Sequence, residues 1–227
     1  MRLLLIGIIM FFSCFSEVSA KDKVTWMVLD WPPWMMLEGE DNGNGRFNYI
    51  LKEAQDNLPQ YDHENVKMNW ARVWHEVKNN NNVCYPFGLK SVKREDLVYF
   101  SEPHTFVLPN AIIMNRETFE KLGNPTSYSI LKLLQDKRFK GYAEKTRSFT
   151  AKIDNLLKEH EPGSNLQRVS ERAESLIKMV GAGRIDFTIE YPIVASYYDR
   201  KKAKPGGIVS VPIAEMEPFS YVHMCCT

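Results

Sequence analysis

The segment GLKSVKREDLVYFSEPH (88–104) contains Arg94. A guanidinium offers a fixed fork that holds a carboxylate through two parallel hydrogen bonds, and the pair strengthens where water is excluded. Arg94 could equally pair with Glu95 or Asp96 on a surface turn. The segment VLDWPPWMML (28–37) brackets Pro32 and Pro33 with Trp31 and Trp34. Proline lacks an amide donor and fixes φ, so the chain must leave its strand there on a stiff loop. Aromatic faces on such a loop are either core or the wall of a binding site. Trp31 is expected to face a cleft and Trp34 to divide between the two roles. Trp70 is expected to end a strand, as an opposite wall or packed on the following helix. Phe87, Gly88 and Leu89 follow a strand-like VCYPF, at the kind of strand end where open α/β sheets take ligands; turn formation explains Gly88 as well. Thr146, Arg147 and Ser148 precede a helical pattern whose free N–H groups and dipole favour an anion, with Ser148 also the expected N-cap. Glu190 and Tyr191 end a strand-like RIDFTIE and complete the set.

The elements that must position these residues alternate. VTWMVLD (24–30) is a short apolar run of the kind buried on both faces of a sheet. Residues 46–58 read as a helix with Phe47, Ile50, Leu51, Ala54 and Leu58 on one face, stopped by Pro59. NVKMNW (65–70) reads as a strand, ARVWHEVKNN as a helix with Val73, Trp74 and Val77 inward, and VCYPF as a strand. This β-α-β-α-β order argues for a parallel sheet. A second α/β unit begins near residue 115. It runs through SILKLLQDK (helix), GYAE (strand), 148–160 (helix), LQRVS (strand) and a helix capped by Ser170. After these come RIDFTIE (strand), a helix around YPIVASYYDRK, and the strands GIVSVPI and SYVHMCC. The sequence stops inside an apparent strand, which reads as a C-terminally incomplete copy rather than a sheet edge left bare.

Composition bounds the function. Arg2, the apolar LLLIGIIMFF and the small residues of VSA at 18–20 form a secretory signal peptide, residues 1–20, cleaved after Ala20. A lipidation site at Cys14 is the competing reading, and Phe11 and Phe12 fit it poorly. The rest has room for one large domain or two small ones. With 44% hydrophobic and 25% charged residues and a net charge of +1, nothing marks a nucleic-acid surface. The five histidines are scattered, so no zinc signature is present and no cofactor is expected. After the leader, Cys84, Cys225 and Cys226 remain. In an oxidising compartment a pair would tend to join, and an odd number leaves at least one thiol over.

The Arg94 segment, with its arginine, spacer, VYF, Ser-x-Pro and following aromatic, resembles the signature of family 3 periplasmic solute-binding proteins. These include the amino-acid-binding components of ABC importers. LDWPPW resembles that family's loop after the first strand. GYAEKTRSFTAKIDNLL resembles its second-lobe strand, loop and helix, and VGAGRIDFTIEYP its Gly-Arg-Ile-Asp segment. The four segments fall in family order and span most of 24–226.

The resemblance implies a type II periplasmic-binding-protein fold, with two α/β lobes, parallel or mixed sheets and a ligand cleft between them. Lobe one would be 21–107 plus 219–227 and lobe two 112–215, with crossing strands near 105–112 and 215–221. The family's further lobe-one helix after the returning strand would be missing. Arg94 would hold a carboxylate, and Trp31 and Trp34 would lie beside the ligand. The family's acid for the ligand's α-ammonium would fall at Tyr191, with Glu190 one residue early, so an amine-free ligand is as credible as an amino acid. The strands carrying Cys84 and Cys225-Cys226 would be neighbours, which implies a disulfide from Cys84 to one of the pair. The implied protein is a periplasmic, monomeric, non-enzymatic receptor for a small ligand, partnered by a membrane permease or sensor. The alternatives are a dehydratase of prephenate-like acids, with Glu190 as its acid, and a relic that binds nothing.

Overall fold

The computed structural model describes residues 20–145, 147–160, 163–201 and 206–227. The leader and Thr146 therefore lie outside the described residues, save for Ala20. The elements in chain order are β1 (Lys23–Val28), α1 (Arg46–Asp56), β2 (Asp62–Lys67), α2 (Trp70–Asn79), β3 (Val83–Gly88), α3 (Val92–Glu95), β4 (Tyr99–Phe100) and β5 (Thr105–Val107). They continue with β6 (Ala111–Asn115), α4 (Arg116–Lys121), α5 (Ile130–Gln135), β7 (Gly141–Glu144), α6 (Ala151–His160) and β8 (Leu166–Val169). The last are α7 (Ala173–Gly181), β9 (Phe187–Glu190), α8 (Pro192–Arg200), β10 (Ile208–Pro212) and β11 (Ser220–Cys226).

Two mixed sheets result. The first has the order β2-β1-β3-β11-β4, with β5 also paired to β11. β1 runs parallel to β2 and β3, while β11 is antiparallel to β3, β4 and β5. The second has the order β10-β6-β9-β7-β8, parallel at β9-β7-β8 and antiparallel at β10-β6-β9. The chain crosses between sheets from Val107 to Ala111 and returns from Pro212 to Ser220. β3 is buried along its whole length, as a central strand covered on both faces must be.

Several local expectations are corrected. The second strand is Asp62–Lys67, not 65–70. It is an edge strand of mostly exposed polar residues, so no apolar run announces it. Trp70 does not end that strand; it opens α2, where the Asn69 side chain accepts from Arg72 N at 2.9 Å and fixes the start of the helix. Ser148 does not cap α6. Its hydroxyl donates to Asp154, and Thr150 Oγ1 accepts from Ile153 N at 3.3 Å instead. Ser170 does not cap α7, whose N-cap position is Arg172 without a side-chain bond. The short helices α3 and α4 carry no periodicity long enough to read.

The chain closes its first sheet covalently. Cys84 and Cys226 are cross-strand partners on β3 and β11 and form a disulfide across 142 residues, with Cα atoms 4.1 Å apart. Cys225 stays a buried thiol, and burial pushes it up to about 12. Among the described residues no helix is long and apolar enough to cross a membrane, and no cluster of side chains could hold a metal ion.

Candidate functional site

The loop after β1 is a closed turn. Trp31 N donates to Met35 O at 2.8 Å, and Trp34 N and Met35 N donate back to Trp31 O at 2.9 and 3.1 Å. The Pro32–Pro33 bond inside it is cis. Asn48 on α1 pins the turn: its Oδ1 accepts from Met36 N at 2.8 Å and Gly45 N at 3.0 Å, and its Nδ2 donates to Met36 O at 3.2 Å. Gly45 lets the helix start come this close. A Cβ there would lie 2.6 Å from Trp34 O and 2.8 Å from Met36 N, both backbone atoms that cannot give way. Asn48→Ala leaves partly buried donors and acceptors unpaired and is expected to lower unfolding free energy by about 1–3 kcal/mol in urea titration; a loss below about 0.5 kcal/mol would show that the turn holds itself.

That turn presents Trp31 and Trp34 to a cavity lying between the two sheets. Its space not filled by atoms, open solvent at the mouth included, is about 660 Å³. Eight of its lining residues are aromatic. Trp34 stacks on Phe47 of α1 at 5.2 Å, and Phe47 stacks on Phe87 of β3 at 4.3 Å. Trp31 meets Trp70 edge-on at 5.8 Å, and Trp70 meets Tyr85 at 5.6 Å. From the second sheet, Tyr191 approaches Trp31 at 5.6 Å and Trp34 at 6.0 Å. Each such pair contributes about 0.5–1.5 kcal/mol beyond burial, so the walls are held by one another. Val107 and Val222, on the paired strands β5 and β11 beside the crossings, complete the lining.

Two guanidiniums enter this aromatic box, and their states differ. Arg94 lies with its Cζ 4.5 Å from the centre of the Trp74 ring, and its Nη1 donates to Leu89 O at 2.7 Å. It has no acidic partner among the described residues: Glu95 pairs with Lys90 instead. Burial holds the Arg94 guanidinium below its ordinary value, against the weaker pull of Tyr85, Cys225, the more distant Asp154 carboxylate and Tyr191. Arg147, by contrast, is fully engaged. Its Nη1 is bound by the Glu190 carboxylate and its Nη2 donates to Asn110 Oδ1 at 2.8 Å. The side chains of Arg147 and Glu190 are only 6% and 2% exposed. Burial opposes the Arg147 charge, but Glu190 outweighs it and holds the guanidinium above its ordinary range.

Two polar atoms on the walls are buried without a partner among the described residues, Trp34 Nε1 and Tyr85 Oη. A buried donor without a partner costs free energy that a bound acceptor would recover.

The chain matches no protein-family model and no curated protein sequence. Solved structures do match. A histidine kinase sensor domain with similarity to periplasmic binding proteins aligns at TM-score 0.67 and 18% identity, covering 91% of this chain and 82% of its own. The probable amino-acid ABC transporter extracellular-binding protein ytmK from Bacillus subtilis aligns at 0.65 and 15%, covering 92% and 85%. The periplasmic VFT2 domain of Bordetella pertussis BvgS aligns at 0.64 and 16%, covering 90% and 80%. This is the type II periplasmic-binding-protein fold.

In the binding-protein fold, the cavity draws residues from both sheets. Trp31, Trp34, Trp70, Phe87, Leu89, Arg94, Arg147, Ser148 and Tyr191 all line it. Gly88 does not: it pairs with His223 on β11, and a Cβ there would meet Cys225 Sγ at 2.8 Å, so its smallness serves strand packing. Glu190 does not line the cavity either. One oxygen binds Arg147, and the other accepts from Tyr191 N at 2.6 Å, with the side chain buried behind the lining. Ahead of α6, Asp154 accepts from Ser148 Oγ and, at 3.0 Å, from Phe149 N, so these two donors are taken. Five lining residues escaped the sequence reading, Val107, Val222 and three aromatics. Tyr85 sits two residues before Phe87 on one strand and Trp74 four after Trp70 on one helix, so period alone pointed to both. Phe47 read only as core.

Proposed function

We propose that the protein is an exported solute-binding receptor that closes on a small, carboxylate-bearing ligand and is read in its closed form by an importer or sensor in the membrane. Two lobes, 21–107 with 219–227 and 112–215, would swing about the crossing strands. A ligand touching both would favour closure by its differential affinity. The observation that carries this reading is Arg94, a half-buried guanidinium with no ion-paired acid among the described residues, set among aromatic walls. The fold is that of periplasmic and extracellular ligand-binding and sensor domains. The disulfide suits an oxidising compartment, in line with a leader removed after Ala20.

Isothermal titration against amino acids, small carboxylates and polyamines tests the reading. A carboxylate is expected to bind, and Arg94→Met to weaken it about 100-fold by removing two charge-assisted hydrogen bonds. Absence of heat with every ligand, together with no compaction in small-angle scattering, would sink the receptor reading.

A further inference from the structure

Resting on that reading, we propose that the ligand is an aromatic carboxylate that carries no ammonium group. Three observations converge on this class.

The first is the charge of the cavity. Among the described residues no acidic side chain lines it, whereas two guanidiniums do. Glu190, the acid nearest in sequence to a lining residue of the second sheet, spends one oxygen on Arg147 and the other on the Tyr191 amide. The acids nearby line adjoining grooves rather than this cavity: Asp30, Glu144 and Glu174 one of them, and Asp154 another. A ligand ammonium placed among these rings would be desolvated without an acid on the lining and would meet like charge at Arg94, while the Arg147 charge is already met by Glu190. Burying an unpaired charge is among the costliest steps available to a ligand. The attraction of a cation for aromatic faces does not offset it here, because the Trp74 face is already taken by Arg94, and the Trp31 and Tyr191 rings lie 5.2 and 5.3 Å from the Arg147 guanidinium.

The second is the state of Arg94. Its guanidinium rests over the Trp74 ring and one nitrogen is tied to Leu89 O, which limits its freedom and leaves other N–H groups for an anion. The third is the wall. Trp34 Nε1 and Tyr85 Oη are buried, unpartnered and on the lining, so they offer hydrogen bonds to ligand oxygens. Eight aromatic side chains on the lining, Trp31, Phe87 and Tyr191 among them, give the ligand's body apolar surface to pack on.

The test compares matched acids on the mature chain by isothermal titration: 3-phenylpropanoate against L-phenylalanine, 3-(indol-3-yl)propanoate against L-tryptophan, and hexanoate as a ring-free control. The expected result is that each amine-free aromatic acid binds at least about tenfold more tightly than its amino acid, and more tightly than hexanoate. Equal or tighter binding of the amino acids, or hexanoate matching the aromatic acids, would overturn the ligand class while leaving the receptor intact. If none of these binds but another amino acid, carboxylate or polyamine does, the class falls and the receptor stands. If nothing binds at all, both fall.

Discussion

Glu190→Gln is expected to destabilise the protein by about 3–5 kcal/mol, because it leaves the buried Arg147 guanidinium without a countercharge. The substitution keeps the shape and one acceptor, so the loss reads the charge. Arg147→Met should cost a similar amount by stranding the carboxylate. The pair Arg147→Met with Glu190→Gln should cost far less than the two losses summed, since a neutral replacement of a buried ion pair is often close to neutral. Urea unfolding of the four proteins provides the cycle. Single losses below about 1 kcal/mol would mean that water reaches the pair, contrary to its 6% and 2% exposure. The same cycle bears on specificity, because the pair is what withholds an acid from the cavity.

Cys84→Ser is expected to cost about 4–5 kcal/mol, the chain-entropy value for a closed loop spanning 142 residues. Reducing the unaltered protein should reproduce most of the effect, and Cys225→Ser should not, since Cys225 lies outside the bridge. Iodoacetamide should label Cys225 only in denaturant, because burial raises its thiol to about 12 and shields it. A reduced protein as stable as the oxidised one would show that β11 pairing alone closes the sheet.

How much of this was legible in the sequence follows from which forces act locally. The central strands β1 and β3 were visible because a strand covered on both faces must be apolar over consecutive residues. Strand β2 was misplaced because an edge strand, DHENVK, owes its pairing to backbone bonds with β1 and carries little side-chain pattern. Trp31 and Trp34 stood out because prolines fix their loop. The Asn48 clasp that holds the same loop did not, since an amide twelve residues from Met36 carries no periodic mark. The Arg147–Glu190 pair was out of reach for the same reason at greater distance: its members stand 43 residues apart on different elements, and only the fold makes them neighbours. One residue of strand offset was readable at Glu190, and it pointed away from an ammonium clamp. What filled that place was not.

The placement of β11 between β3 and β4 imposes an order of events on the growing chain. The strands of the second sheet, β6 to β10, are continuous in sequence, so that sheet can assemble as soon as residues 111–212 have emerged. The first sheet cannot. Its interior strand arrives only after the entire second sheet has been made, and until then β3, apolar on both faces, has an open flank. The half of the molecule that begins first is therefore the half that finishes last. In the interval it is exposed to the mispairing that threatens any unpaired interior strand, a hazard that favours keeping the chain extended until Cys226 can reach Cys84.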